Sequence, residues 1–212
     1  HAGKQYLITG AGSGIGKATA QLLSSEGAEL ALLGRSLDEL SDVFNAIGGE
    51  DSGHMLLHAD VALEHEMKDA MTMLSNHWDH LDGVVANAGI NGVWAPIDEI
   101  SYEEWNLTLG VNLGGTFLTI RGTLPLLRKG CGSVVVVASI NGTRIFSNSG
   151  ATAYACSKAA QVTLTKMLAL ECAKDHVRFN VVCPGAIKTN IDDSTERRDL
   201  DGLHLPVEFP DG

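Results

Sequence analysis

A single α/β domain, built as a doubly wound parallel sheet with helices on both faces, is the fold predicted by this 212-residue sequence. Three observations predict it. Short Val/Ile/Leu clusters recur between glycines and turn residues, as in strands buried on both faces. Six of these clusters alternate with longer stretches of helical periodicity. The first cluster also runs straight into Gly10-Ala11-Gly12-Ser13-Gly14-Ile15-Gly16 and then a helical pattern, the order of a phosphate-binding unit. A chain of this length can bury a sizeable core, so residues 1–212 are read as one domain.

Taken in order, Gln5–Thr9 is the first strand and the glycine loop follows it. Glycines let the chain turn sharply and let backbone N–H groups approach a pyrophosphate at the positive end of the next helix. The spacing Gly10-x-x-x-Gly14-x-Gly16 differs from G-x-G-x-x-G, and Gly16-Lys17-Ala18 lacks the ending of an ATP-type P-loop. A glycine turn without a ligand is the bland alternative. Residues 29–33 form the second strand, which ends in Gly34-Arg35. In such a sheet this end faces the adenosine ribose, where an acid would accept from a free 2′-hydroxyl and an arginine suits a 2′-phosphate. Arg35 therefore favours NADP(H), with NAD(H) as the alternative.

A helix over residues 37–47 leads to a third strand, 54–58, which stops at Asp60-Val61. The next helix, 63–76, carries Met67, Ala70, Met71 and Leu74 at core-packing spacing. Strand four, Gly83–Ala86, ends in the small turn Asn87-Ala88-Gly89 beside the nucleotide cleft. A long helix over 102–127 has Asn112 amid apolar residues and Gly110, Gly114 and Gly115 around it. Asn competes for backbone hydrogen bonds and glycine weakens a helix, so this local conflict marks a functional position. Strand five spans 133–138, a helix holding Tyr154 and Lys158 runs to about 173, and strand six covers 178–183. No element is assigned after Thr189.

Chemistry concentrates between Ser139 and Lys158. Tyr154 and Lys158, four apart, share one helix face, where a fixed positive charge favours the phenolate of a phenol that ordinarily titrates near ~10. Ser139, at a strand's carboxyl end, can hydrogen-bond a substrate oxygen while Tyr154 exchanges its proton.

The motifs together resemble the short-chain dehydrogenase/reductase superfamily: Thr9-Gly10-x-x-x-Gly14-x-Gly16, Asp60, Asn87-Ala88-Gly89, Asn112, Ser139, Tyr154-x-x-x-Lys158 and Pro184-Gly185-Ala186-Ile187-x-Thr189, in the family's order. The overall pattern is similar to the 3-oxoacyl-carrier-protein reductase branch. The resemblance implies a Rossmann-type fold and an NAD(P)(H)-dependent enzyme interconverting a carbonyl and a secondary alcohol, with a tetrad of Asn112, Ser139, Tyr154 and Lys158. Tyr154 would carry the proton, Lys158 would lower its pKa and bind the nicotinamide ribose, Ser139 would hold the carbonyl, and Asn112 would keep a water. Cofactor contacts are expected from Gly10, Ser13, Gly14, Ile15, Gly16, Arg35, Asp60, Val61, Asn87, Ala88, Gly89, Tyr154, Lys158, Pro184, Gly185, Ile187 and Thr189. The long helices around 102–128 and 153–173 typically form a dimer face, so a homodimer or homotetramer is expected.

Three departures stand out. Ser139 precedes Tyr154 by a longer gap than usual, with Ser147 and Ser149 between; Ser139 is kept because it ends the strand. Ser13 stands where many NADP-preferring relatives carry a base. Relatives continue through a further helix and a seventh strand, which residues up to Gly212 do not supply. The alternative function is a cofactor-binding regulatory or inactive homologue without turnover; an enoyl reductase is disfavoured by the short Tyr154 to Lys158 interval.

Composition narrows the partners. The net charge of −11 and the lack of a basic run argue against nucleic acid or an anionic membrane. It would not by itself attract an acidic carrier protein. Cys131, Cys156, Cys172 and Cys183 show no pairing pattern and read as free thiols in a reducing compartment. The His54/His58 and His77/His80 spacings lack cysteine or carboxylate partners, so no metal is expected. Without a signal-peptide pattern or an apolar run near ~20 residues, a cytoplasmic location and a small-molecule carbonyl or alcohol substrate are expected.

Overall fold

The computed structural model describes residues 1–144 and 148–203. Ser147, and the last nine residues of the expected domain, lie outside them. In chain order the elements are β1 (Gln5–Thr9), α1 (Gly14–Ser25), β2 (Glu29–Gly34), α2 (Leu37–Ala46), β3 (Met55–His58), α3 (Glu64–His77), β4 (Gly83–Ala86), β5 (Gly92–Trp94), α4 (Tyr102–Leu109), α5 (Gly115–Gly130), β6 (Ser133–Val137), α6 (Thr152–Glu171), β7 (Arg178–Val182) and β8 (Thr195–Arg197). Six strands form one parallel sheet in the order β3-β2-β1-β4-β6-β7. The chain winds outward from β1 to β3, then returns to place β4 on the other side of β1. This reversal opens a crevice beyond the carboxyl ends of β1 and β4, where ligands of such sheets bind.

The sheet divides the core by the two-residue period of its strands. Leu7, Ala31 and Leu33 point to one side with Met67, Leu74 and Ile120, while Ile8, Leu30 and Leu32 point to the other with Ala20, Leu40 and Val43. Met67 and Met71 of α3 are packing residues, as their spacing indicates: Met67 is buried and Met71 lies against Gly122 of α5, where a Cβ would strike its side chain.

Two features depart from the reading of the sequence. The long helix expected over 102–127 is split by a π-helical turn, Gly110–Gly114, with Asn112 completely buried within it. Glycines on both sides leave the backbone soft enough for the wider turn. The stretch after Thr189, unassigned from sequence, contains β8, which pairs in parallel with β5. At three residues each, these strands are too short to show a two-residue period. The strand ends move slightly: β6 stops at Val137 and β7 at Val182, so Ser139 stands two residues beyond its strand.

Leu74 is fully buried between α3 and the sheet. Leu74→Ala is expected to lower stability by about 2–5 kcal/mol, read as an earlier midpoint in chemical denaturation.

Candidate active site

The crevice at the sheet reversal is a cleft of about 430 Å³. Its floor is tied by one polar stitch. Thr9 Oγ1 accepts from the main-chain N–H groups of Asn87 and Ala88, each at 3.0 Å, and Asn87 Nδ2 donates to the carbonyls of Thr9 at 2.9 Å and Gly10 at 3.2 Å. The glycine loop is thereby fixed against the turn after β4. Gly10 and Gly14 hold positive φ of 63° and 51°, which a side chain would resist. Gly16 lies behind the loop and not on the cleft; a Cβ there would overlap the Gly10 carbonyl, so its part is to let α1 close on β1.

The residues fit a dinucleotide. Ser13 occupies the N-cap of α1 without a side-chain cap, whereas Ser36 and Ser101 cap α2 and α4 through their hydroxyls. The first amides of α1 are thus free of a side-chain acceptor, at the positive end of the helix, beside glycines that admit a phosphate. Gly10, Ser13, Gly14, Ile15, Arg35, Asn87, Ala88, Gly89, Pro184, Gly185, Ile187 and Thr189 all line the cleft, together with Ser139, Tyr154 and Lys158. Asp60 and Val61 line an adjoining recess of about 140 Å³ that shares Gly10, Arg35, Ala88 and Gly89 with the cleft. Glu39, Asn190, Ile191, Asp193 and Ser194 also line the cleft. Sequence reasoning passed over them because Glu39 reads as an ordinary helix-face residue and the rest lie in the unassigned stretch.

The chemical end is built on one face of α6. Tyr154, Ser157, Lys158 and Gln161 follow the i, i+3, i+4, i+7 rule and are all buried. Lys158 Nζ donates to the Val137 carbonyl at 3.0 Å, leaving two of its three N–H groups for other partners. Burial lowers its ammonium to about 8, with Cys183 pulling the other way. Burial pushes the Tyr154 phenol above its ordinary range, and the facing Ser139 hydroxyl draws it part of the way back. The expected lowering of Tyr154 by Lys158 is therefore not what this arrangement gives. The ammonium is turned toward the strand, 5.6 Å from the ring centroid, and desolvation of the phenol dominates.

Asn112 does not line the cleft; it stands behind Gly89. A Cβ at Gly89 would lie 3.1 Å from Asn112 Oδ1 and 3.4 Å from Lys158 Nζ, which places both polar groups at the same spot. Asn112 Oδ1 accepts from Ile90 N at 2.8 Å, and its Nδ2 donates to Ile90 O and Ser157 Oγ. The Asn112 main-chain carbonyl accepts from Thr116 Oγ1 at 2.7 Å and Gln161 Nε2 at 2.8 Å, so both of its lone pairs are engaged. A water between Asn112 and Lys158 would have to use Oδ1. Ser157 and Gln161 were not singled out from the sequence, although polar residues on an otherwise apolar helix face three and seven places after Tyr154 are the signal that marks them.

The segment after Thr189 is fastened over this end. Thr189 packs against Gly14, Asn91 N and Nδ2 donate to Ser194 Oγ and Thr195 Oγ1, and Arg198 pairs with Glu104 and Glu196. Among the described residues no group of three His, Cys, Asp or Glu side chains converges on a metal position, and no helix is long and apolar enough to cross a membrane.

Comparison with known proteins gives the family. The short chain dehydrogenase family matches residues 4–199. A crystal structure of a 3-ketoacyl-ACP reductase from Sinorhizobium meliloti 1021 superposes with a TM-score of 0.91 at 52% identity, covering 98% of this chain and 82% of that one. An alcohol dehydrogenase from Thermococcus sibiricus complexed with 5-hydroxy-NADP superposes at 0.83 with 30% identity, over 91% and 80% of the two chains. D-beta-hydroxybutyrate dehydrogenase of Rhizobium meliloti (strain 1021) is 36% identical over 189 residues, 88% of this chain and 72% of the relative. The cleft, the buried Tyr154-Lys158 face and the match along nearly the whole chain lead to one conclusion: this chain belongs to the short chain dehydrogenase family of NAD(P)-dependent oxidoreductases.

Proposed function

We propose that the protein interconverts a ketone and a secondary alcohol at the end of the cleft where Ser139, Tyr154 and Lys158 meet. The observation that carries this reading is their convergence, from the loop after β6 and one face of α6, on the same cleft as the uncapped start of α1. When bound, the nicotinamide supplies or takes the hydride. Ser139 orients the substrate oxygen, and Tyr154 donates its proton to that oxygen in reduction. A phenol held above its ordinary range is protonated at neutral pH, which suits a donor. The remaining N–H groups of Lys158 are available to ribose hydroxyls, and Asn112 holds the wall behind Gly89.

Arg35 supports a preference for NADP(H), since it is the one cation on the cleft besides Lys158 among the described residues. The 3-oxoacyl-carrier-protein reductase branch is the favoured substrate class, on the 52% identity to the Sinorhizobium enzyme. A homodimer or homotetramer, formed through α4, α5 and α6, is supported by exposed Tyr102, Leu107, Phe117, Met167 and Leu170 on those helices. The free cysteines fit a cytoplasmic location. A non-catalytic regulator is not favoured, because every tetrad residue is present.

Tyr154→Phe is expected to cut turnover by about 10²–10⁴-fold while nicotinamide-nucleotide affinity stays within about threefold, checked by steady-state rates and fluorescence titration. Retained turnover would remove Tyr154 from the proton step. Arg35→Asp is expected to move the NADPH-to-NADH affinity ratio toward NADH by about tenfold or more. For Lys158, the folded-state pKa of about 8 lies below the unfolded value of 10.5, so below pH 8 the folded protein holds a buried charge at a cost that is relieved as pH rises from about 8 to 10.5. Lys158→Met is therefore expected to raise stability at pH 7 by about 1–3 kcal/mol while abolishing activity, with the gain shrinking toward pH 10 in thermal melts.

A further inference from the structure

The adenosine end of the cleft carries a charge arrangement that the glycine loop and Arg35 alone do not foretell. Arg35 stands where the cleft meets the recess bearing Asp60 and Val61, and its side chain is 75% exposed. On the recess side, Asp60 Oδ2 lies 3.8 Å from Arg35 Nη1. Asp60 is held there by its own contacts, its Oδ1 accepting from Ala62 N at 2.9 Å. On the cleft side stands Glu39, three residues into α2. The Ser36 hydroxyl accepts from Glu39 N and anchors that first turn. The side chain then packs over Gly12, where a Cβ would come within 2.9 Å of Glu39 Cβ and 3.3 Å of its Oε2. Glu39 thus reaches the glycine loop itself, sharing the cleft wall with Gly10, Ser13 and Gly14. Among the described residues it has no ion-pair partner, and Ser13 beside it brings no charge.

The end that must tell a 2′-phosphate from a 2′-hydroxyl therefore presents one cation, Arg35, and two carboxylates, Asp60 on the recess and Glu39 on the cleft. A 2′-phosphate adds nearly two negative charges, competes with Asp60 for Arg35, and enters a cleft whose wall also carries the Glu39 carboxylate. A ribose 2′-hydroxyl has neither difficulty and can donate to a carboxylate. We infer that Glu39 is a cofactor-discriminating residue: its carboxylate over Gly12 opposes the 2′-phosphate that Arg35 attracts, so the protein accepts both NADPH and NADH and keeps only a narrow preference between them. This rests on the nucleotide cleft described above and qualifies the preference that Arg35 would set alone. The effect is carried by a side chain that leaves the catalytic end untouched.

The test is the pair of dissociation constants for NADPH and NADH, by fluorescence titration of the whole protein and of Glu39→Gln and Glu39→Lys. The expected result is dissociation constants within about tenfold of each other for the unsubstituted protein. In Glu39→Gln, NADPH binding should tighten about three- to tenfold with NADH unchanged or weaker, further in Glu39→Lys, and the gain should contract in ~1 M salt. An unchanged ratio in both variants, with both nucleotides still bound, overturns the role of Glu39 and leaves the cleft assignment standing. Binding of neither nucleotide by the unsubstituted protein overturns both.

Discussion

Everything at the cleft depends on the short stitch between the ends of β1 and β4. Two neighbouring parallel strands whose chains depart in opposite directions would splay apart, leaving main-chain groups at Thr9, Gly10, Asn87 and Ala88 without partners in a half-buried place. One threonine hydroxyl and one asparagine amide satisfy them instead. Those bonds hold the Gly10 carbonyl in place, and α1 packs against that carbonyl through Gly16, so the start of α1 is tied to the same stitch. The same turn continues through Gly89 to Asn112 and Lys158, so the glycine loop and the Lys158 ammonium share one floor.

How far this was legible in the sequence follows from what each signal encodes. Parallel strands buried on both faces are continuous apolar runs, and the six were found with ends correct to within a residue or so; the glycine loop and the Tyr154-Lys158 pair announce themselves by spacing. Asn112 stood out as a misfit among apolar residues, but the π turn that accommodates it is a matter of backbone hydrogen-bond register, which composition does not record. Gly16 carries two readings. Its spacing placed it with the phosphate contacts, yet a glycine is needed equally where a helix must touch a strand, and only the packing separates the two uses. Glu39 was invisible because its place over Gly12 comes from where α2 docks after β2, the strand beside β1.

Lys158 shows what such a site costs the fold. Its ammonium is almost wholly buried, and one main-chain carbonyl is a meagre replacement for water. Behind it, bonded to Asn112, lie Ser157, Thr116 and Gln161, polar groups in a position that apolar side chains would fill more favourably for stability alone. The Gln161 amide oxygen has no partner among the described residues, although its nitrogen is doubly used. The wall behind Gly89 is held by directional hydrogen bonds, which give the Asn112 amide a defined position.

The pairing of β5 with β8 also bears on how the chain acquires its shape. Asn91 and Ser194 are 103 residues apart in sequence, and their contact joins a loop after β4 to a segment that follows β7. Closing so wide a loop is entropically expensive unless the intervening strands have already brought its ends together. The pairing of β5 with β8 thus relies on the parallel sheet to bring its two segments together. Its two strands pair at three positions outside the six-stranded sheet, so their separation would leave the hydrogen bonds between the ends of β1 and β4 intact.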